Sequence, residues 1–79
     1  MTKTIDVHDY SLTCAIRKIQ RTIIENPKAN KIIVIHGFNN GTVIKDTLSN
    51  YKNIHNKRVY NTLVDPFNYG RTWIYLKCS

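Results

Sequence analysis

Apolar and polar residues alternate along the chain at two periods, and each period predicts one type of element. From Lys3 to His8, Ile5 and Val7 alternate with polar residues at the two-residue period of a β-strand. Ser11 is a good N-cap for a following helix. The apolar positions after it recur at helical spacing: Leu12, Ala15, Ile16, Ile19 and Ile23. We predict an amphipathic helix of about 14 residues, ended by Pro27.

The middle of the chain predicts a buried strand and a second helix. The unbroken run Ile32–Ile35 is β-branched or aliphatic throughout, which is typical of a central strand in a parallel pairing. His36 and Gly37 end this strand, and residues 38–41 have turn composition. Thr42 is the predicted cap of the second helix, which residues 53–56 close. Its predicted buried stripe consists of Val43, Ile44, Leu48 and Tyr51.

The last third of the chain predicts a hairpin. Residues 58–64 and 71–77 are strand-like and are joined by the turn-forming residues 65–70. In the second segment Trp73 and Tyr75 alternate with aliphatic residues. The order βαβαββ predicts a single α/β domain over residues 1–79, of the α+β two-layer type. Its mixed four-stranded sheet carries two helices on one face if the crossovers are right-handed.

Composition narrows the class of protein. An apolar content of 42% is typical of a folded domain. No segment reaches the roughly 20 apolar residues of a membrane span, and the N-terminus lacks the apolar core of a signal peptide, so we expect a cytoplasmic protein without membrane contact. Cys14 and Cys78 lie at opposite ends of the sequence, and we expect both thiols to be free.

The charge balance suggests a polyanionic partner. Twelve Lys and Arg against five Asp and Glu give a net charge of +7, and a positive surface potential attracts nucleic acid. An ordinary basic surface is the alternative. We expect RNA or DNA as the partner and no small-molecule cofactor.

Candidate catalytic residues lie at the ends of the first two strands. Parallel strands joined by a helical crossover finish at the same edge of the sheet, which brings Asp6 and His8 towards His36. A carboxylate beside imidazoles can perform acid–base chemistry near neutral pH. The alternative is that both histidines are hydrogen-bonded structural residues. The second helix starts at the same edge, so its free amides and the preceding turn predict a phosphate site. The predicted phosphate-binding residues are Gly37, Asn39, Asn40, Gly41, Thr42 and, beside the turn at Gly70, Arg71.

Three motifs resemble one family. Ile5-Asp6-Val7-His8 resembles the LDxH element that opens domains of the small MutS-related (Smr) family. Val34-Ile35-His36-Gly37, followed by Gly41, resembles its HGxGxG element, and residues 68–76 are similar to its closing turn and strand, often NPGxTxxxL. Together they span nearly the whole chain.

The resemblance implies a domain that binds DNA or RNA and that in several members is an endonuclease, with or without a metal. The family's candidate catalytic Asp and His fall on Asp6 and His8, and its HG residues fall on His36 and Gly37. This sequence departs from the family at Asp9, where glycine is usual, and in the tripeptide 38–40. A bound Mg²⁺ or Mn²⁺ would be expected only if Asp6 and His8 hold an ion that activates water.

Other chemistries are less well supported. No serine lies on the GxSxG elbow that an α/β-hydrolase requires, and the His and Cys residues lack the spacing of a structural zinc site. Trp73 and Tyr75 are interpreted as strand aromatics that cover one another, with base stacking as the alternative. A protein-interaction module is the third functional reading, and it would require an exposed apolar patch around these two rings.

Overall fold

The computed structural model describes residues 1–38 and 41–78, which form four strands and two α-helices. The strands are β1 (Thr2–Asp6), β2 (Lys31–Ile35), β3 (Val59–Val64) and β4 (Arg71–Leu76). The helices are α1 (Leu12–Glu25) and α2 (Gly41–Leu48), and a 3₁₀ turn (Tyr51–Ile54) follows α2. This is the predicted βαβαββ order with one additional turn.

The strands form one mixed sheet in the order β1-β2-β4-β3. β1 and β2 are parallel, whereas β4 is antiparallel to both of its neighbours. The prediction of an α+β fold with a mixed four-stranded sheet is therefore confirmed. The register aligns Asp6 with Ile35 and Ile35 with Arg71, so these three residues form one row across the sheet.

One face of the sheet is covered by the helices. In β2 and β4 buried and half-buried residues alternate strictly, as expected when one face is covered and the other is open. The buried core draws on the sheet, both helices and the 3₁₀ turn. Its fully buried aliphatic side chains are Val7, Ala15, Ile19, Ile23, Ala29, Ile32, Val34, Leu48, Ile54 and Ile74. Lys31, Ile33, Trp73 and Tyr75 belong to the other set and lie on the open face.

Side chains hydrogen-bond to the backbone at both ends of helix α1. Ser11 is its N-cap, and its hydroxyl accepts a hydrogen bond from the amide of Cys14 at 3.2 Å. At the other end the guanidinium of Arg58 donates to the carbonyls of Ile23 and Asn26, at 2.7 and 3.2 Å. It also donates to the carbonyls of Pro27, Ala29 and Lys77. Arg58 thus ties the end of α1 to the start of β2 and the end of β4.

The second helix differs from the prediction. α2 begins at Gly41, one residue before the predicted cap Thr42, and ends at Leu48. The assignment of Val43 to the buried stripe is wrong, since this side chain is 59% exposed. Tyr51 is also exposed, because it belongs to the 3₁₀ turn, whose apolar anchor is Ile54. The tighter 3₁₀ geometry rotates the residues after Leu48 away from the α-helical spacing on which the prediction depended.

Two further expectations can be compared with the structure. Cys14 and Cys78 are both free and exposed. Within residues 1–38 and 41–78, neither helix has the length and apolar character needed to cross a membrane.

Candidate functional site

Asp6 and His8 are in direct contact where β1 ends. The Asp6 carboxylate accepts a hydrogen bond from the backbone amide of His8 at 3.0 Å, and the same oxygen lies 2.5 Å from His8 Nδ1. The second ring nitrogen, Nε2, lies 2.9 Å from Oδ2 of Asp9. His8 therefore bridges two carboxylates at the exposed edge of the sheet. We call Asp6, His8 and Asp9 the edge triad.

The carboxylates favour the charged form of the imidazole. Hydrogen bonding to Asp6 and the negative charges of Asp6 and Asp9 raise the pKa of His8 above its ordinary value. The hydrogen bonds from the backbone and side chain of His8 lower the pKa of Asp6. Both side chains are about half exposed, so solvent can reach the pair. His8 can therefore act as an imidazolium or, after losing a proton, as a base.

The structure does not bring His36 into this exposed cluster. His36 is fully buried on the covered face of the sheet, with Nε2 2.8 Å from the hydroxyl of Thr72 and Nδ1 3.1 Å from the carbonyl of Gly37. Burial lowers the pKa of His36, so its neutral form is favoured. The predicted three-residue cluster is thus present as an exposed Asp6–His8 pair and a separate buried histidine.

Gly37 makes the turn that joins His36 to the exposed edge. Its φ is +77°, a conformation that glycine adopts without strain, and a Cβ at this position would lie 3.5 Å from Cβ of His8. The amides of His36 and Gly37 both donate to the carbonyl of Gly70, at 2.9 and 3.0 Å. The turn is therefore fixed against the β3–β4 loop on one side and lies against His8 on the other.

The first turn of α2 borders the same edge. A surface groove runs between the β1–α1 loop and α2, and it is lined by Asp9, Tyr10, Ser11, Leu12, Thr42, Val43 and Ile44. Asp9 and the predicted phosphate-binding residue Thr42 thus share one groove, and Gly41 is the first residue of α2. Asn39 and Asn40, also predicted to bind phosphate, lie outside the described residues. The helix start has the polarity that suits an anion.

Arg71, the other predicted phosphate-binding residue, already has a carboxylate partner. Its Nη2 lies 2.8 Å from Oδ2 of Asp65, whose side chain is only 2% exposed. The Nε atom of Arg71 is buried without a hydrogen-bond partner among the described residues. Over a third of the Arg71 side chain remains exposed, at 36%. Arg71 therefore neutralises a buried charge and still reaches solvent at the edge that carries Asp6.

The site offers little to a metal ion. Among residues 1–38 and 41–78, no group of three or more His, Cys, Asp or Glu side chains is arranged to hold one. Both carboxylates of the edge triad point at the imidazole of His8. These residues do not fit a preformed divalent-cation site.

Three polar residues around the site were not predicted from the sequence. Asp9 contacts His8, Thr72 contacts His36 and Asp65 contacts Arg71. Only Asp9 left a signal, because it replaces the glycine that usually follows the LDxH element. Thr72 contacts His36 across 36 residues of sequence, and Asp65 contacts Arg71 across the β3–β4 loop, whose course a sequence pattern does not specify.

Comparison with known proteins bears on the fold. No protein-family model matches the sequence, and no curated protein matches it significantly. Among solved structures, the Smr domain of MutS2 from Thermus thermophilus superposes with a TM-score of 0.79. The match covers 95% of this chain and 98% of that one, at 18% sequence identity. The likeness covers nearly the whole backbone, and the chain has the fold of an Smr domain.

Proposed function

We propose that this chain binds nucleic acid at the edge of the sheet where β1 and β2 end, and that His8 there cleaves the RNA backbone. The observation that carries this proposal is the Asp6–His8 contact, whose neighbour Asp9 lines one groove with the start of α2. A net charge of +7 supports a polyanionic ligand. The Smr fold supports the same class of ligand, because domains of this kind generally bind nucleic acid.

Cleavage requires one proton to leave the RNA 2′-hydroxyl. Asp6 holds Nδ1 of His8, which directs Nε2 towards the surface. Asp9, whose side chain is 82% exposed, can turn away from Nε2 when a substrate enters. Neutral His8 then accepts the 2′-hydroxyl proton as the 2′-oxygen attacks phosphorus and the P–O5′ bond breaks. The products are a 2′,3′-cyclic phosphate and a 5′-hydroxyl, the latter protonated by water.

The remaining predicted residues have supporting roles in this proposal. His36 is a positioning residue, since it holds the Gly37 turn against His8 from inside the core. Amides at the start of α2, from Gly41 and Thr42, bind a phosphate, and the exposed part of Arg71 binds a neighbouring one. Asn39 and Asn40 remain proposed phosphate-binding residues because they lie between Gly37 and Gly41 in the sequence.

A second candidate is the same binding domain without catalysis. Two observations favour it: both ring nitrogens of His8 are engaged by carboxylates, and the second histidine has no access to solvent. In this reading His8 is a charged phosphate-binding residue. Binding and cleavage must therefore be measured separately.

The deciding experiment uses labelled single-stranded RNA, duplex DNA and branched DNA, each with magnesium and with chelator. We expect retention of nucleic acid in both conditions and cleavage of RNA alone, in chelator, with cyclic phosphate ends. His8→Ala and Asp6→Asn should abolish cleavage while binding and melting temperature change little. Retention without cleavage by the wild type would select the binding module. Cleavage that requires magnesium or manganese and extends to DNA would replace the imidazole route by a metal route.

A further inference from the structure

A second surface with the chemistry of a nucleic-acid site lies away from the edge triad. The open face of the sheet carries Trp73 and Tyr75 on β4, and Tyr60 of β3 lies beside Tyr75 with ring centroids 6.3 Å apart. Tyr60 is 49% exposed. Tyr60 and Tyr75 are therefore neighbouring rings, and Trp73 lies two residues before Tyr75 on the same face; we call these three residues the aromatic strip.

Lysines border this strip. The Nζ atom of Lys31 lies over the ring of Trp73, 3.9 Å from its centroid, and 5.9 Å from that of Tyr75. Beyond Tyr60 the strip opens into a groove lined by Tyr51, Lys52, His55, Asn56, Lys57, Val59, Tyr60 and Lys77. Among the described residues that line this groove none is acidic. We call Lys31, Lys57, Lys77, Tyr60, Trp73 and Tyr75 the aromatic–lysine face.

The arrangement differs from that of a buried aromatic cluster. Rings that only cover one another need no cations around them, whereas here the ammonium of Lys31 lies over the half-buried rings of Trp73 and Tyr75. Lys57 and Lys77 line one groove with the exposed Tyr60. Single-stranded nucleic acid presents the complementary surface, with flat bases that stack on aromatic rings and phosphates that pair with cations. A duplex keeps its bases stacked on one another and cannot use the rings in this way.

We propose that the aromatic–lysine face binds single-stranded nucleic acid, with bases stacked on Tyr60 and Tyr75 and phosphates paired with Lys31, Lys57 and Lys77. The proposal deepens the proposed function and rests on it, because it names an unpaired strand as the ligand. It adds a surface distinct from the edge triad. β4 runs along the open face from the edge of the sheet that holds Asp6 towards Lys77, and a strand bound along it would approach His8 at one end.

The test compares three proteins by fluorescence anisotropy with a labelled single-stranded oligouridylate and a labelled RNA hairpin duplex. Tyr60→Ser removes the exposed ring, and Tyr60→Phe is the matched control that keeps it. We expect Tyr60→Ser to weaken single-strand binding at least about fivefold, which is the lower range for one lost base–aromatic stack. Tyr60→Phe should bind like the wild type, and neither substitution should change duplex binding.

The outcomes separate this inference from the proposed function. Wild-type protein that binds the oligomer, together with a Tyr60→Ser variant of equal affinity, overturns the inference and leaves the proposed function standing. Wild-type protein that binds no nucleic acid at all overturns both. Sedimentation at increasing protein concentration tests whether a second copy of the chain occupies the face instead. A wild-type dimer that Tyr60→Ser dissociates would overturn the proposal.

Discussion

At the scale of single residues, the two histidines that the sequence placed together have opposite environments. His8 is exposed between two carboxylates that raise its pKa, whereas His36 is buried and its pKa is lowered. The difference follows from strand alternation, because His36 continues the buried positions of β2 while His8 follows the exposed positions of β1. The same residue type therefore has its charged form favoured at the edge and its neutral form favoured in the core.

The first prediction concerns the titration of His8. Removal of a neighbouring carboxylate charge takes away stabilisation of the imidazolium, so Asp6→Asn should lower the His8 pKa towards its ordinary value. Asp9→Asn should lower it less, since Asp9 makes a smaller contribution than Asp6 to the raised pKa of His8. The measurement is the pH dependence of the His8 ring resonances by NMR, with the distant Asp46→Asn as a control. An unchanged midpoint in Asp6→Asn would show that the contact does not govern the charge of His8.

The second prediction concerns the buried bond between His36 and Thr72. Thr72→Val keeps the shape of the side chain but leaves Nε2 of His36 buried without its partner. We expect a loss of about 1–3 kcal/mol in the free energy of unfolding, measured by urea denaturation. Thr4→Val, at an exposed position of β1, is the matched control and should change stability little. Equal stability of the two variants would contradict the structural role assigned to this bond.

At the scale of elements, the sequence predicted what depends on local periodicity. The four strands and α1 were found because burial on one face imposes alternation or helical spacing, as in Ile5–Val7 and Ile19–Ile23. The 3₁₀ turn and the position of β4 beside β2 were not predicted. Both depend on contacts between distant segments. For example, the carbonyl of Gly70, just before β4, accepts hydrogen bonds from the two amides that follow β2.

The third prediction concerns the end of α1. Arg58 donates to five carbonyls from three segments, so Arg58→Ala should leave several of them without a partner. We expect a loss of about 2–4 kcal/mol in stability by chemical denaturation. Arg58→Lys should recover only part of it, because an ammonium lacks the planar fork. Arg21→Lys, on the exposed side of α1, should behave like the wild type. Full recovery by lysine would show that charge alone is needed.

The fourth prediction separates the two roles of Arg71. Arg71→Met leaves the buried Asp65 carboxylate without its counter-charge, although the amide of Phe67 still donates to it, and breaking a buried ion pair costs up to about 3–5 kcal/mol. The double variant Asp65→Asn/Arg71→Met removes both charges and should restore much of this stability in thermal unfolding. Once thermal unfolding shows that the double variant is folded, its nucleic-acid affinity measures the phosphate contact of the missing guanidinium. Wild-type affinity in the double variant would leave Arg71 with the structural role alone.

At the scale of the whole molecule, the net charge of +7 predicts that nucleic-acid binding depends on salt. The fifth prediction is that the logarithm of the affinity for duplex DNA falls linearly with the logarithm of the salt concentration. The slope should be about −0.9 for each phosphate contacted. The measurement is anisotropy across a range of salt concentrations. Lys31→Gln should leave the duplex slope unchanged if duplexes use only the edge triad and α2. An affinity that does not change with salt would contradict an electrostatic mode of binding.

The ammonium of Lys31 over the ring of Trp73 has an optical consequence. Trp73 is the single tryptophan of the chain, so its emission reports one place on the protein, the open face of the sheet. Any ligand that draws Lys31 away from the indole changes the electric field on that chromophore. The intrinsic fluorescence of the unlabelled protein is therefore a built-in reporter of occupancy on this face.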